Sequence, residues 1–214
     1  MTEKFIGKLK TAGKVEKGPA AKTFVEIGLY QGATIPYIGN GRFKKGKNDN
    51  NLYIGIDLRS DRVRDAKEDA ESMRVDIHKK DNMLFIHGDA RKLPLKTESA
   101  DEIFMGNVLG DLSISGSDKE AMLKEARRGI KSGGRLIIRE TYTPLRLKSV
   151  EELCRKAGFM VEKVITGKNE EEITELKRFN RFERGDLYGY ALYAEPDEKW
   201  SPGGEETGED TVPK

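Results

Sequence analysis

The sequence of 214 residues predicts a single layered α/β domain. Three observations carry that reading. Short apolar runs alternate with segments of helical apolar spacing, as strands and covering helices do in a layered sheet. The apolar runs are nearly continuous, which suits strands buried on both faces. No internal repeat and no second domain follows. The apolar residues, 36% of the chain, reach the ordinary globular range of about 45–50% once its 23 glycines are added, so a wholly disordered chain is excluded.

The chain opens with a basic arm, residues 1–22, holding six lysines and two glutamates, with Gly7, Gly13, Gly18 and Pro19 interrupting any long period. Thr23–Gly28 is the first predicted strand. Residues 39–51 lack apolar periodicity and are rich in turn formers, so they read as a loop or a frayed helix end, functional or a plain solvated insertion. Leu52–Asp57 is the second strand. The helix after it, Ser60–Met73, places Val63, Ala66, Ala70 and Met73 on one stripe.

Met83–His87, Asp101–Gly106 and Arg135–Glu140 are the next three strands. Ser117-Asp118-Lys119-Glu120 and Ser149-Val150-Glu151-Glu152 have capping-box spacing and open two further helices. The first of these helices ends by Gly133-Gly134 and the second by Gly158, where a positive φ costs glycine little. Phe159–Ile165 and Leu187–Ala194 are the last strands. The charged connection Thr166–Asp186 between them has room for a short helix around Glu170–Lys177. The domain therefore runs 23–194, and 195–214 reads as an acidic disordered tail.

Composition removes several classes of function. The one cysteine, Cys154, excludes an internal disulfide and a cysteine-rich zinc site, and no metal site is expected; Cys154 reads as a small apolar core residue. No window approaches a membrane span of about 18 apolar residues, and the lysine-rich start lacks an apolar core for a secretory signal. A cytoplasmic protein is the expectation. Charged residues make up 36% of the chain, yet the net charge is only +2. The balance conceals a segregation, with −5 on residues 195–214 and +7 on residues 1–194.

The functional signal starts at the first strand, Val25-Glu26-Ile27-Gly28-Leu29-Tyr30-Gln31-Gly32. A strand ending in an acid and glycine before a tight turn brings a nucleotide-like ligand close to backbone amides. A purely structural turn uses the same glycines. The spacing is not Gly-x-Gly-x-x-Gly, which argues against a nicotinamide dehydrogenase. The second strand ends in Asp57, positioned to accept hydrogen bonds from both hydroxyls of a ribose. Gly88-Asp89-Ala90 follows the third strand. Glu26, Asp57 and Asp89 thus stand at successive strand ends and are expected to face one crevice.

These pieces, VEIGLYQG, YIGIDLRSDRV, HGDARKLPLKTESADEIFMGNVLGDL and EARRGIKSGGRLIIRE, resemble a class I S-adenosylmethionine-dependent methyltransferase in order and approximate spacing, from about Thr23 to Ala194. The resemblance implies a Rossmann-like domain with a seven-stranded, mostly parallel sheet, an antiparallel last strand and helices on both faces. It implies S-adenosyl-L-methionine as cofactor. The contact positions it implies are Glu26, Gly28, Tyr30 and Gly32 for the methionine part, Asp57 and Leu58 for the ribose, and Asp89 and Ala90 for the adenine. Gly106, Asn107 and Val108 would face the methyl group. The family usually has glycine where Tyr30 stands.

Methyl transfer from a sulfonium is an in-line displacement, so alignment supplies much of the rate and a dedicated base is optional. Asn107 and Asp111 are the candidate catalytic residues, with Glu140 and Tyr142 next. An Asn or Asp followed by Pro-Pro-aromatic is missing after the fourth strand, which counts against enzymes that use that motif. His87 reads as a packed strand residue and His78 as part of a solvated face.

The positive body suggests a polyanionic acceptor, structured RNA of the ribosomal or transfer type, because phosphate contacts supply most sequence-independent affinity. The arm, the Arg42–Lys47 loop and the segment Lys177–Arg184 would bind it. The last interleaves Phe179 and Phe182 with cations, as stacking on unpaired bases requires. A solvated charged face with both phenylalanines in the core is the competing reading, and high Lys and Glu content also accompanies life in hot environments. A small-molecule acceptor and a non-catalytic RNA-binding or scaffold protein that keeps the fold are the alternatives.

Overall fold

A computed structural model describes residues 21–29, 51–72, 83–140, 147–177 and 189–200. The basic arm before residue 21, Tyr30, Gly32, the Arg42–Lys47 loop, His78, Tyr142, residues 178–184 and the tail beyond Trp200 lie outside the described residues.

Seven strands form one sheet: β1 (Thr23–Ile27), β2 (Leu52–Asp57), β3 (Met83–His87), β4 (Ala100–Gly106), β5 (Ile130–Glu140), β6 (Phe159–Ile165) and β7 (Tyr190–Pro196). Between them lie α1 (Ser60–Ser72), α2 (Gly116–Gly129), α3 (Leu147–Lys156) and α4 (Glu170–Lys177), with one turn of 3-10 helix at Ala90–Lys92. The spatial order is β3-β2-β1-β4-β5-β7-β6. β1 to β5 pair in parallel, and β7 runs antiparallel between β5 and β6. The chain reverses direction across the sheet between β1 and β4, the switch point at which such sheets open a crevice at their carboxyl edge.

The sheet separates two apolar layers. On one face Val25, Ile27, Ile103, Met105, Leu136 and Ile138 pack with Leu123 and Ala126 of α2 and with Val150 and Cys154 of α3. On the other, Phe24, Tyr53, Phe104 and Ile137 pack with Leu176 of α4. Burial of a side chain such as Leu123 contributes about 2 kcal/mol. Cys154 is fully buried, as expected of a core residue, and burial pushes its thiol up to about 12. Among the described residues no helix is long and apolar enough to cross a membrane, and no group of three or more His, Cys, Asp or Glu side chains is placed to hold a metal ion.

Four local expectations are corrected. Ser115, not Ser117, caps α2, because Ser115-Gly116-Ser117-Asp118 repeats the serine-to-acid spacing two residues earlier; the Ser115 hydroxyl accepts the Asp118 amide at 3.1 Å. α2 stops at Gly129, since Ile130 already pairs with Ala100, and Gly133 and Gly134 instead occupy the irregularity where β5 shifts register against β4. α3 begins at Leu147, whose side chain packs against the core, so Ser149 lies in its first turn. β3 is an edge strand, which leaves Leu84 and His87 exposed rather than packed.

The last strand also ends later than expected. β7 continues through Glu195 and Pro196, and Asp197 donates its amide to the Gly158 carbonyl at 2.9 Å. Arg127 reaches the same carbonyl at 3.1 Å. Trp200 covers Gly158 so closely that a β-carbon there would lie 2.4 Å from the indole.

Candidate active site

The carboxyl ends of β1, β2 and β4, with the turn after β3, enclose a cavity of about 480 Å³, within the range of small-ligand sites. Gly28 forms one wall at a φ of +86°, and its missing side chain lets β1 and β4 approach: a β-carbon would stand 2.5 Å from Val108 Cγ2. The Gly28 amide donates to the Ile56 carbonyl at 3.0 Å and the Gly88 amide to the Asp57 carbonyl at 2.9 Å, which locks the three strand ends together.

Asp57 lies on this wall, 6% exposed. One carboxylate oxygen accepts the Leu29 amide at 2.7 Å and the other the Arg59 amide at 2.8 Å. Each oxygen carries two lone pairs, so each has room for one more donor. Arg62 stands 4.0 Å away and limits the desolvation cost of the charge. Leu58 beside it is exposed and contributes apolar wall.

Asp89 caps the 3-10 turn at Ala90–Lys92, accepting the Arg91 amide at 2.9 Å. The Arg91 guanidinium also clasps Asp89, with Nη2 at 2.6 Å, and bonds Asp118 at 2.9 Å. That pairing holds the Asp89 carboxyl below the usual carboxylate range. Asp89 and Ala90 both line the cavity.

The end of β4 supplies the remaining wall. Gly106, Asn107 and Val108 line it, and Asn107 adopts a left-handed φ of +54°, a conformation asparagine tolerates better than most residues. Its amide donates to the Arg139 carbonyl at 2.7 Å. Asp111 lines the outer wall and is exposed; its carboxylate accepts the amide and hydroxyl of Ser113, both at 2.8 Å, and those bonds hold its pKa low. Beneath this loop lies the buried Glu140, which accepts the Leu109 amide at 2.9 Å.

One expected member of the crevice is absent from it. Glu26 does not line the cavity; strand alternation turns its side chain to the opposite face from Ile27, where it is fully buried and accepts the Tyr53 hydroxyl. Burial pushes its carboxyl up to about 8. His87 ends β3 with Nε2 2.8 Å from the Leu58 carbonyl, a contact that braces the β2 turn. Sequence reasoning missed Arg59, Arg62 and Arg91 as wall residues. Asp89 followed by a short run of helix formers was the available sign of the capped turn that places Arg91.

A family model described as a methyltransferase domain matches residues 40–181. Similar solved structures include a TehB-like SAM-dependent methyltransferase from Corynebacterium glutamicum, 17% identical, with a TM-score of 0.55 over 84% of this chain and 82% of that one. The complex between the Haloferax volcanii Trm112 methyltransferase activator and a methyltransferase matches at 15% identity and 0.54 over 85% of each chain. Geranyl diphosphate C-methyltransferase from Streptomyces coelicolor, in complex with Mg2+, geranyl diphosphate and S-adenosyl-L-homocysteine, matches at 13% and 0.53 over 84% and 74%. No protein of curated function matches the sequence.

Proposed function

Because the chain belongs to the methyltransferase domain family and is an S-adenosylmethionine-dependent methyltransferase of the class I fold, we propose that its methyl acceptor is structured RNA, ribosomal or transfer. The observation that carries the proposal is the charge segregation, +7 on residues 1–194 against −5 on residues 195–214. Two basic segments contribute to it: Arg42–Lys47, in the connection between β1 and β2, and Lys177–Arg184, in the connection between α4 and β7. Phosphate neutralisation by such segments gives affinity without base reading.

The residues of the cavity fit the methyl donor. When bound, the donor supplies a methyl group on a sulfonium whose positive charge vanishes on transfer. Asp57, with one spare acceptor site on each oxygen, would hold the ribose hydroxyls, and the wall at Gly28 lets backbone come close to the methionine part. Asp89 would take the adenine amino group by giving up one contact to Arg91. Gly106, Asn107 and Val108 stand where the acceptor approaches, and the Asn107 amide side chain orients a nitrogen or oxygen nucleophile. Asp111, held ionised by Ser113, marks the outer wall and would accept a hydrogen bond from the acceptor. Alignment of this kind is the main rate contribution.

The test is incubation of the full chain with labelled donor and separate pools of total RNA, protein and small molecules. Label is expected in RNA. Label confined to the small-molecule pool overturns the RNA reading in favour of a metabolite methyltransferase, and donor binding without transfer to any pool supports a non-catalytic role.

A further inference from the structure

Arg139, next to last in β5, is 2% exposed, and only one edge of its guanidinium is used. Nη1 donates to the Glu140 carbonyl and, at 3.3 Å, to the Tyr190 carbonyl. Nε and Nη2 have no hydrogen-bond partner among the described residues. Those two nitrogens point their N–H bonds the same way, and they are the pair with which Arg91 clasps Asp89 elsewhere in this chain, at 3.0 and 2.6 Å. A buried guanidinium with that edge unmet has lost its hydration there without a replacement.

The nearby acids do not meet the need. Glu140 is adjacent in sequence, but alternation along the strand sends its side chain to the other face, where it holds the Leu109 amide. Glu26 shares the Arg139 face but lies two strands away on β1; its Oε2 accepts the Tyr53 hydroxyl, and its Oε1 makes no hydrogen bond to Arg139. The positions flanking Arg139 in its own row are Gly106 on β4 and Ala191 on β7, which carry no side-chain acceptor. Gly106 also lines the cavity, and Asn107 donates its amide to the Arg139 carbonyl.

We infer that Arg139 binds an acidic group, a carboxylate or a phosphate, side-on through Nε and Nη2, at the end of the sheet where the methyl group is transferred. The fork geometry of arginine matches either group bidentately. Its bearer is the amino-acid carboxylate of the methyl donor or an acidic group of the acceptor. The inference rests on the donor being S-adenosylmethionine, not on the acceptor being RNA.

The experiment compares the full chain with Arg139→Met, which keeps much of the volume, and Arg139→Lys, which keeps the charge without the fork. Calorimetry measures binding of S-adenosylhomocysteine, of methylthioadenosine, which lacks the amino-acid carboxylate, and of inorganic phosphate added to the methylthioadenosine complex. Arg139→Met is expected to melt within about 3 °C of the unaltered protein. If the donor bears the anion, Arg139→Met loses about tenfold or more in S-adenosylhomocysteine affinity with methylthioadenosine unchanged. If the acceptor bears it, donor affinity is unchanged and phosphate binding is lost. In either case Arg139→Lys restores less than half of the lost binding free energy. Unchanged binding of all three probes overturns the inference, as does an equal loss for methylthioadenosine and S-adenosylhomocysteine. Failure of the unaltered protein to bind S-adenosylhomocysteine would instead overturn the donor assignment, and phosphate added to the free protein and to free Arg139→Met still reads Arg139 by itself.

Discussion

The Glu140 carboxylate on β5 accepts the backbone amide of Leu109 at 2.9 Å, tying the loop after β4 to the strand beside it. Burial pushes the Glu140 carboxyl up to about 7 against the opposing pull of the Gly110, Leu109 and Val108 amides. Glu140→Ala leaves the Leu109 amide unmet and is expected to cost about 1–3 kcal/mol in urea unfolding. Glu140→Gln keeps a carbonyl acceptor and should stay within about 1 kcal/mol of the unaltered protein. Equal stability of both variants would show that the tie contributes nothing.

Glu26 gives the pH dependence its sign. Burial raises its carboxyl from the ordinary 4.5 to about 8 in the folded state. Between those values the folded state holds a proton that the unfolded state has released, so its contribution is full below the lower value and fades as pH rises through the upper one. Unfolding free energy should therefore fall by a few kcal/mol from about pH 5 to pH 9, with Glu140 adding in the same direction. Glu26→Gln should flatten much of that slope. A slope unchanged in this variant removes Glu26 as its source.

Asp57 offers the sharpest binding test. Asp57→Ala removes both carboxylate oxygens and strands the buried Leu29 amide, so S-adenosylhomocysteine affinity should drop about 100-fold, roughly 3 kcal/mol. Asp57→Asn retains one acceptor oxygen and should fall between. Calorimetry that finds full affinity in Asp57→Ala would end the ribose assignment.

Asn107 combines a left-handed backbone with a place in the cavity wall. Asn107→Gly keeps the backbone and removes the side chain, whereas Asn107→Ala adds a conformational cost of about 1 kcal/mol. If the side chain orients the acceptor, both variants lose about 10- to 100-fold in kcat, while only the alanine variant melts lower. Full kcat in the glycine variant would confine Asn107 to a backbone role.

Gly158 couples a φ of +83° to the indole of Trp200. Gly158→Ala meets both the strain and the ring, and should destabilise by about 2 kcal/mol or more. Trp200 is the one tryptophan in the sequence, so its emission should shift toward that of a solvated indole. An unshifted spectrum with unchanged stability would mean the corner rearranges freely.

Most of the fold was legible because burial leaves a direct trace in sequence. β2, β3 and β6 stand where apolar runs placed them, α4 fills the charged connection that had room for it, and α1 follows its predicted span through Ser72, with Met73 outside the described residues. What escaped depends on competition between neighbours. Ser115 and Ser117 carry equivalent capping patterns, and the helix takes the earlier one as its cap. The acids illustrate the same limit for the site. Asp57 and Asp89, one at a strand end and one just beyond it, reach the cavity, whereas Glu26 stands one position before the end of its strand, and that single step sends it to the opposite face. Arg139 was not visible as more than a charged strand residue, because its significance lies in which of its nitrogens have partners.

Lys22 and Trp200 stand near the two ends of the described residues. Lys22 precedes the amino end of β1, where the Thr23 amide meets Asp101 at 2.8 Å, and antiparallel β7 returns to that same edge before Trp200 docks on Gly158. Both points therefore stand roughly 20 Å, the length of a strand, from the cavity mouth. A resin, a surface or a fused protein linked through either point is held behind the sheet. An enzyme tethered in this way presents its donor cavity outward, toward whatever substrate is supplied in solution.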